Sequence, residues 1–244
     1  MLPKDSVQKR RIKFRQATSN MNFTKDTPRG EIERIIRETV YREMNLPLPR
    51  RTEGPNPLVV NVSARHVHLT QEAVEALFGK GYKLSVHKNL YQEGQFAAKE
   101  SVTLIGPRSR VISNLRILGP CRSACQVELA LTDARALGFE VPIRNSGDTK
   151  GTPGCMLMGP AGFYEMREGV IRAARHVHMH PDDAKFYGVQ NGDFMKLKVY
   201  GENASIFENV LCRVDKALKL EVHIDTDEGN ACDLGPTSIC ELVK

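Results

Sequence analysis

The pentapeptide Ala-Arg-His-Val-His occurs twice, at residues 64–68 and 174–178, offset by 110 residues. The two copies hold four of the chain's seven histidines. Histidine is the commonest side-chain metal ligand, and residues i and i+2 of a β-strand project from one face with their Cα atoms about 6.5–7 Å apart. Each His-Val-His on a strand is therefore a two-imidazole grip. One such triplet alone reads as ordinary strand packing, but neither packing nor folding demands the pentapeptide a second time. The repeat predicts a metal centre built from two halves.

Strands are expected at both places, because the β-branched apolar runs 58–63 and 169–173 lead straight into the two copies. Short helices are expected directly after them. Thr70 is a suitable cap for a helix over 71–78, and Pro181 with Asp182 and Asp183 suits the first turn of a helix over 181–187. Further strands are read at 194–200, 206–214 and 218–224, with a hairpin of 102–105 and 111–118 around the turn at 106–109. Short, evenly spaced strands of this kind predict small barrels rather than a doubly wound parallel sheet. The glycines at 147, 151 and 154 lie in a polar turn segment, so neither a dinucleotide fingerprint nor a phosphate-binding loop is present.

With 244 residues, 41% of them apolar, the chain can bury one large core or two modest ones. No apolar run approaches the ~18–20 residues that cross a bilayer, and no membrane association is expected. The six cysteines show no CxxC spacing and are expected to be reduced thiols of a cytosolic protein. The net charge of +6 is carried by residues 1–30, where eight basic residues face two acidic ones. The body is neutral, so a nucleic-acid surface is not expected. Next, Ile32, Ile35, Ile36, Val40 and Met44 form one stripe over residues 31–44, an amphipathic helix that a Pro-rich linker at 53–57 separates from the body. Such a helix either packs on its own chain or docks on another protein.

Other residues can complete the metal centre. His223 lies in an alternating segment that presents it and Glu221 to one face. His180 continues the alternation of His176 and His178, but Pro181 follows at once and the strand is expected to have ended. His87 has no partner motif and is read as a surface residue. Glu128, between Val127 and Leu129, either points inward as a ligand or lies on an exposed strand face. Arg122 suits bidentate recognition of phosphate or carboxylate. Five imidazoles with one carboxylate favour zinc or a similar borderline ion over calcium.

Residues 61–69, 173–179, 119–122 and 145–148 together resemble the phosphate propanoyltransferases of bacterial microcompartments, the PduL-type phosphotransacylases, and the resemblance runs over about residues 56–244. It implies a mainly β fold of two small β-barrels capped by short helices, beyond an N-terminal amphipathic extension over residues 1–50. One barrel would comprise 56–64 with 174–244, the other 65–173. Between them would lie two zinc ions, one held by His66, His68 and Glu128, the other by His176, His178 and His223, with Arg122 binding phosphate in catalysis. Val62, Ser63, Ala64, Arg116 and Asn230 would contact coenzyme A.

The implied reaction interconverts an acyl-CoA, propanoyl-CoA in the family, plus phosphate with acyl phosphate plus CoA. The implied place is the lumen of a microcompartment in the bacterial cytoplasm, reached by contacts of the N-terminal helix with shell or lumen proteins. The same helix also suits self-association as a homodimer. Two other readings stay open: a binuclear zinc hydrolase, and a metal-dependent scaffold protein without catalysis.

Overall fold

Alternation of apolar and polar side chains makes strands the main regular element of the body, and the longer ones bury one face. The structure is a computed structural model and describes residues 57–244; the expected basic stretch and amphipathic helix lie outside the described residues. In chain order the elements are β1 (Val59–Ser63), β2 (His66–His68), α1 (Gln71–Phe78), β3 (Val86–Asn89), β4 (Phe96–Ile105), β5 (Val111–Gly119), β6 (Gln126–Glu128), α2 (Leu131–Leu137), β7 (Ile143–Arg144) and β8 (Cys155–Met158). They continue with β9 (Phe163–Met166), β10 (Val170–Ala173), β11 (His176–Met179), α3 (Pro181–Tyr187), β12 (Phe194–Tyr200), β13 (Ser205–Val214), β14 (Glu221–Asp225), α4 (Thr226–Ala231) and β15 (Ile239–Val243). The fold class is the expected one: mainly β, two curled half-barrel sheets and few helices.

One sheet has six strands in the order β1-β14-β11-β13-β12-β15; the other has nine, running β7-β10-β6-β2-β5-β4-β8-β9 with β3 beside β4. Each sheet covers its own apolar core. Val67, Leu69, Leu77, Leu104, Ile117 and Leu157 pack in the first, under the nine-stranded sheet. Val177, Met179, Met195, Leu197, Val222 and Ile224 pack in the second. The chain changes sheet twice. It leaves the six-stranded sheet after β1 to enter β2, and leaves the nine-stranded sheet after β10 to enter β11. Both crossings fall on the Ala-Arg pairs that open the two pentapeptides, at 64–65 and 174–175. As a result β1 pairs in parallel with β14, while β10 pairs in parallel with β6.

The hairpin of β4 and β5 is present, with β4 reaching back to Phe96. The strand read at 218–224 starts only at Glu221, because Asp215 folds residues 215–218 into a turn by accepting from the amides of Ala217 and Leu218. Thr70 caps α1, its hydroxyl accepting from Ala73 N at 3.1 Å. In α3 Pro181 stands in the first turn as expected, but the cap is His180, whose Nδ1 accepts from Asp182 N at 3.3 Å.

The third cap carries more. Asp225 accepts from Glu228 N at 2.9 Å, Glu228 accepts from Asp225 N at 2.9 Å, and Arg172 Nε donates to Asp225 Oδ2 at 2.8 Å. The side chains of Arg172 and Asp225 are 19% and 9% exposed, so this ion pair is little screened by solvent. Asp225→Ala should lower unfolding stability by about 3 kcal/mol, since it removes a cap and strands a buried guanidinium. Denaturant titration checks this, and a loss below about 1 kcal/mol would mean that Glu228 alone satisfies Arg172.

Candidate active site

Each position of the repeated pentapeptide has a separate duty. The carbonyl of the alanine accepts from the first histidine: His66 Nδ1 lies 2.8 Å from Ala64 O, and His176 Nδ1 lies 2.9 Å from Ala174 O. The arginine holds the start of a helix. Arg65 donates to Asp133 in the first turn of α2 at 2.8 Å, and Arg175 to Glu228 in the first turn of α4 at 2.6 Å. Val67 and Val177 are fully buried in the two cores. The alternation then turns both histidines of each copy to the face away from the core.

His66, His68 and Glu128 form one cluster of candidate ligands, and His176, His178 and His223 another; within each, the ligand atoms lie within 4.8 Å of one another. In the first, His66 Nε2 is 3.5 Å from Glu128 Oε2. Two atoms sharing one tetrahedral zinc at about 2.0–2.1 Å each stand ~3.4 Å apart, so the pair needs almost no movement to hold an ion. A carbonyl can only accept, so Nδ1 of His66 carries the proton and its Nε2 faces the cluster with a lone pair. His68 Nδ1 is held in the same way by Leu118 O at 3.2 Å.

Burial and the neighbouring His66 push His68 down to about 3, which keeps it neutral at neutral pH. Burial alone would raise Glu128 and lower His66. Their attraction wins, leaving Glu128 well below the usual carboxylate range and His66 above its ordinary value. A divalent cation held between them would satisfy the same carboxylate and imidazole without a proton.

The second cluster is a triangle of imidazoles whose ring centres are 4.8–4.9 Å apart. Burial, and after it the neighbouring His223, lower His176 to about 4 and His178 to about 3. Two buried nitrogens here, His178 Nδ1 and His223 Nε2, have no hydrogen-bond partner. Such an atom costs about 1–3 kcal/mol, a cost that a bound metal would remove. His223 Nε2 does stand 3.1 Å from Glu221 Oε2, but out of line for a hydrogen bond. Glu221 is itself fixed by Gln92 Nε2 at 2.6 Å and by the amide of Asn61. Both donor sets therefore suit a borderline divalent ion such as zinc.

The two halves match in register. On β2 and β6, His66 pairs with Glu128 and His68 with Gln126. On β11 and β14, His176 pairs with His223 and His178 with Glu221. A cleft lined by Ser63, Glu128, His176 and His223 joins the clusters.

Arg122 follows β5, its amide donating to Leu69 O at 2.9 Å and its Nη1 to Ser146 Oγ at 3.2 Å. Ser146 Oγ also contacts Glu128 Oε1 at 3.1 Å and accepts from Gln126 Nε2 at 2.8 Å, so one hydroxyl ties the arginine to a candidate ligand. Ser146 and Gln126 had no role in the sequence reading, because nothing in their spacing brings a loop serine beside a strand 18 residues earlier.

Of the remaining candidates, Ser63 lines the cleft, Val62 and Ala64 are exposed beside it, and Asn230 is exposed on α4. Arg116 pairs in register with His66, but its Nη1 donates to the carbonyls of Ala98 and Lys99 at 2.9 and 2.8 Å. His180 is the cap of α3, and His87 is exposed on β3. All six cysteines are free, and burial pushes the Cys121 thiol up, away from a reactive thiolate.

A family model described as Phosphate propanoyltransferase matches residues 59–235. The chain is 54% identical over 223 residues to the Phosphate propanoyltransferase of Planctopirus limnophila, covering 88% of this chain and 91% of that protein. It is 49% identical over 188 residues to that of Thermotoga maritima, 77% of this chain and 89% of the relative. The figure for the Salmonella typhimurium protein of the same name is 47% over 189 residues, again 77% and 89%. Identity of this order, spanning both pentapeptides and the strands that carry them, means that the chain belongs to the phosphate propanoyltransferase family of phosphotransacylases.

Proposed function

We propose that the chain is a zinc-dependent phosphate acyltransferase that interconverts propanoyl-CoA plus phosphate with propanoyl phosphate plus CoA. The observation that carries the reading is a cleft lined by Glu128 of one three-ligand cluster and by His176 and His223 of the other, with a guanidinium tied to Glu128 through Ser146. In the direction of acyl-CoA formation the thiolate sulfur attacks the acyl carbonyl carbon. A carbon–sulfur bond forms, the carbon–oxygen bond to phosphate breaks, and phosphate leaves with the electron pair; the thiol proton passes to solvent or to phosphate.

Zinc held by His66, His68 and Glu128 and by His176, His178 and His223 would supply Lewis acidity, favouring a thiolate whose free thiol has a pKa near ~8.5 and offsetting charge on phosphate. Arg122 binds the phosphoryl oxygens in a fork and offsets the charge that gathers on them as the bond breaks. Ser146 keeps that fork at a fixed distance from Glu128. Val62, Ser63, Ala64, Arg116 and Asn230 form the contacts to coenzyme A. No acyl-enzyme is needed, in keeping with the protonated state that burial imposes on Cys121 and Cys155, the latter pushed up to about 12.

The working place is the lumen of a bacterial microcompartment. Support comes from the amphipathic stripe over residues 31–44, joined to the body by a Pro-rich linker. Among the described residues no helix is long and apolar enough to cross a membrane.

Purified metal-replete protein should form propanoyl-CoA from propanoyl phosphate and CoA, and lose this activity on chelation. Acyl phosphate breakdown that ignores CoA would instead identify a hydrolase, and bound zinc without turnover a metal-binding scaffold. Arg122→Ala should slow turnover by roughly 10²–10³ at unchanged zinc content, the effect of losing one preorganised charge; kinetics equal to the parent's would remove Arg122 from the site. Deletion of residues 1–50 should leave kcat intact while a fluorescent fusion no longer gathers in microcompartments. Punctate fluorescence of the truncated fusion would refute delivery by this segment.

A further inference from the structure

A second arginine stands on the ligand face of the six-stranded sheet. Arg213 of β13 is the register partner of His178 in the parallel pair of β11 and β13, and paired residues of parallel strands project to the same side. Its neighbours Cys212 and Val177, also register partners, point the other way into the core. Arg213 is half-buried, and among the described residues it has no hydrogen-bond or ion-pair partner. It is near enough for its charge to act on His176, on His178 and on Arg122, which reaches the site from the other sheet.

Arg122 is exposed and Arg213 half-buried, their like charges repel in the free protein, and the carboxylate that offsets Arg122 is Glu128 of the first cluster. Elsewhere the chain relieves such repulsion. Arg172 and Arg175, three residues apart, share Glu228, and Arg172 is also held by Asp225. What relieves Arg122 and Arg213 is a dianion with oxygens on two sides, and the forked guanidinium matches phosphate geometry.

We propose that Arg213 is the second arm of a two-arginine clamp on the phosphate group being transferred. The inference rests on the phosphotransacylase reading and adds to it a binding residue from the opposite half of the fold. Arg122 grips the phosphate from the nine-stranded sheet and Arg213 from the six-stranded one, so the phosphate subsite exists only when the two halves are together.

The test is phosphate-dependent turnover of the zinc-loaded protein in the direction of acyl phosphate formation, with parent, Arg213→Gln and Arg213→Lys compared and zinc content measured in each. Arg213→Gln should raise KM for phosphate about 10- to 100-fold, the effect of losing one or two charge-assisted hydrogen bonds, with KM for propanoyl-CoA unchanged. Arg213→Lys, which keeps the charge without the fork, should recover part of the loss. A raised KM for propanoyl-CoA with phosphate unaffected would assign Arg213 to the phosphates of coenzyme A and overturn the clamp, as would no change in either. Calorimetric titration of the same proteins with inorganic phosphate decides the point separately. If the parent binds phosphate but makes no acyl phosphate, the reaction is misread, while weaker binding by Arg213→Gln still upholds the clamp and equal binding refutes it.

Discussion

A neutral imidazole offers a metal one lone pair, and the hydrogen bond at its other nitrogen decides which atom carries it. In this protein that decision is made by the backbone only two residues away. His66 and His176 each donate Nδ1–H to the carbonyl of the alanine that opens the motif. The alanine sits where the chain crosses from one sheet to the other, so its carbonyl is not consumed by a strand ladder and remains free to accept. Crossing, tautomer and ligand direction are thus one constraint. It also accounts for a repeat of five residues and not three: the arginine beside the alanine fastens the crossing to the first turn of a helix, Asp133 in one half and Glu228 in the other.

The halves are alike in backbone and unlike in charge. The first cluster holds two imidazoles and a carboxylate; the second holds three imidazoles and no carboxylate. The missing carboxylate has moved one pairing position along. Glu221 occupies the place that Gln126 has in the other half, beside a candidate ligand and held there by Gln92 and Asn61. Each cluster therefore has a buried carboxylate at one of these pairing positions, as a candidate ligand in the first and next to one in the second.

Much of this was legible in the sequence, and the reason is local. The strand before each pentapeptide, the helix after it, the face shared by residues i and i+2, and the hairpin of β4 and β5 all follow from patterns a few residues long. The end of β11 at Met179 was readable from Pro181, and His180 became a cap because the strand had stopped. The roles of Ser146, Gln126 and Arg213 were hidden, since each depends on pairing between distant segments. Arg213 looks like any arginine in a strand until β13 is set in register with β11. The start of β14 was misjudged by three residues, because Asp215 captures amides that a strand would have used.

The exchange of β1 into the six-stranded sheet bears on how the protein is made. Asn61 and Glu221, which meet across that exchange, are 160 residues apart in sequence. At about 5–20 residues per second of synthesis, β1 spends roughly 10–30 s outside the ribosome before its partner strand exists. During that time Val59, Val60 and Val62 form an unpaired, β-prone edge, the kind of segment that invites association with other chains. The first histidine cluster is complete in sequence once Glu128 has emerged, long before His223 appears. A nascent chain thus carries one finished set of candidate ligands and one loose strand, and any metal captured early by that set would steady the half of the molecule from which that strand must wait.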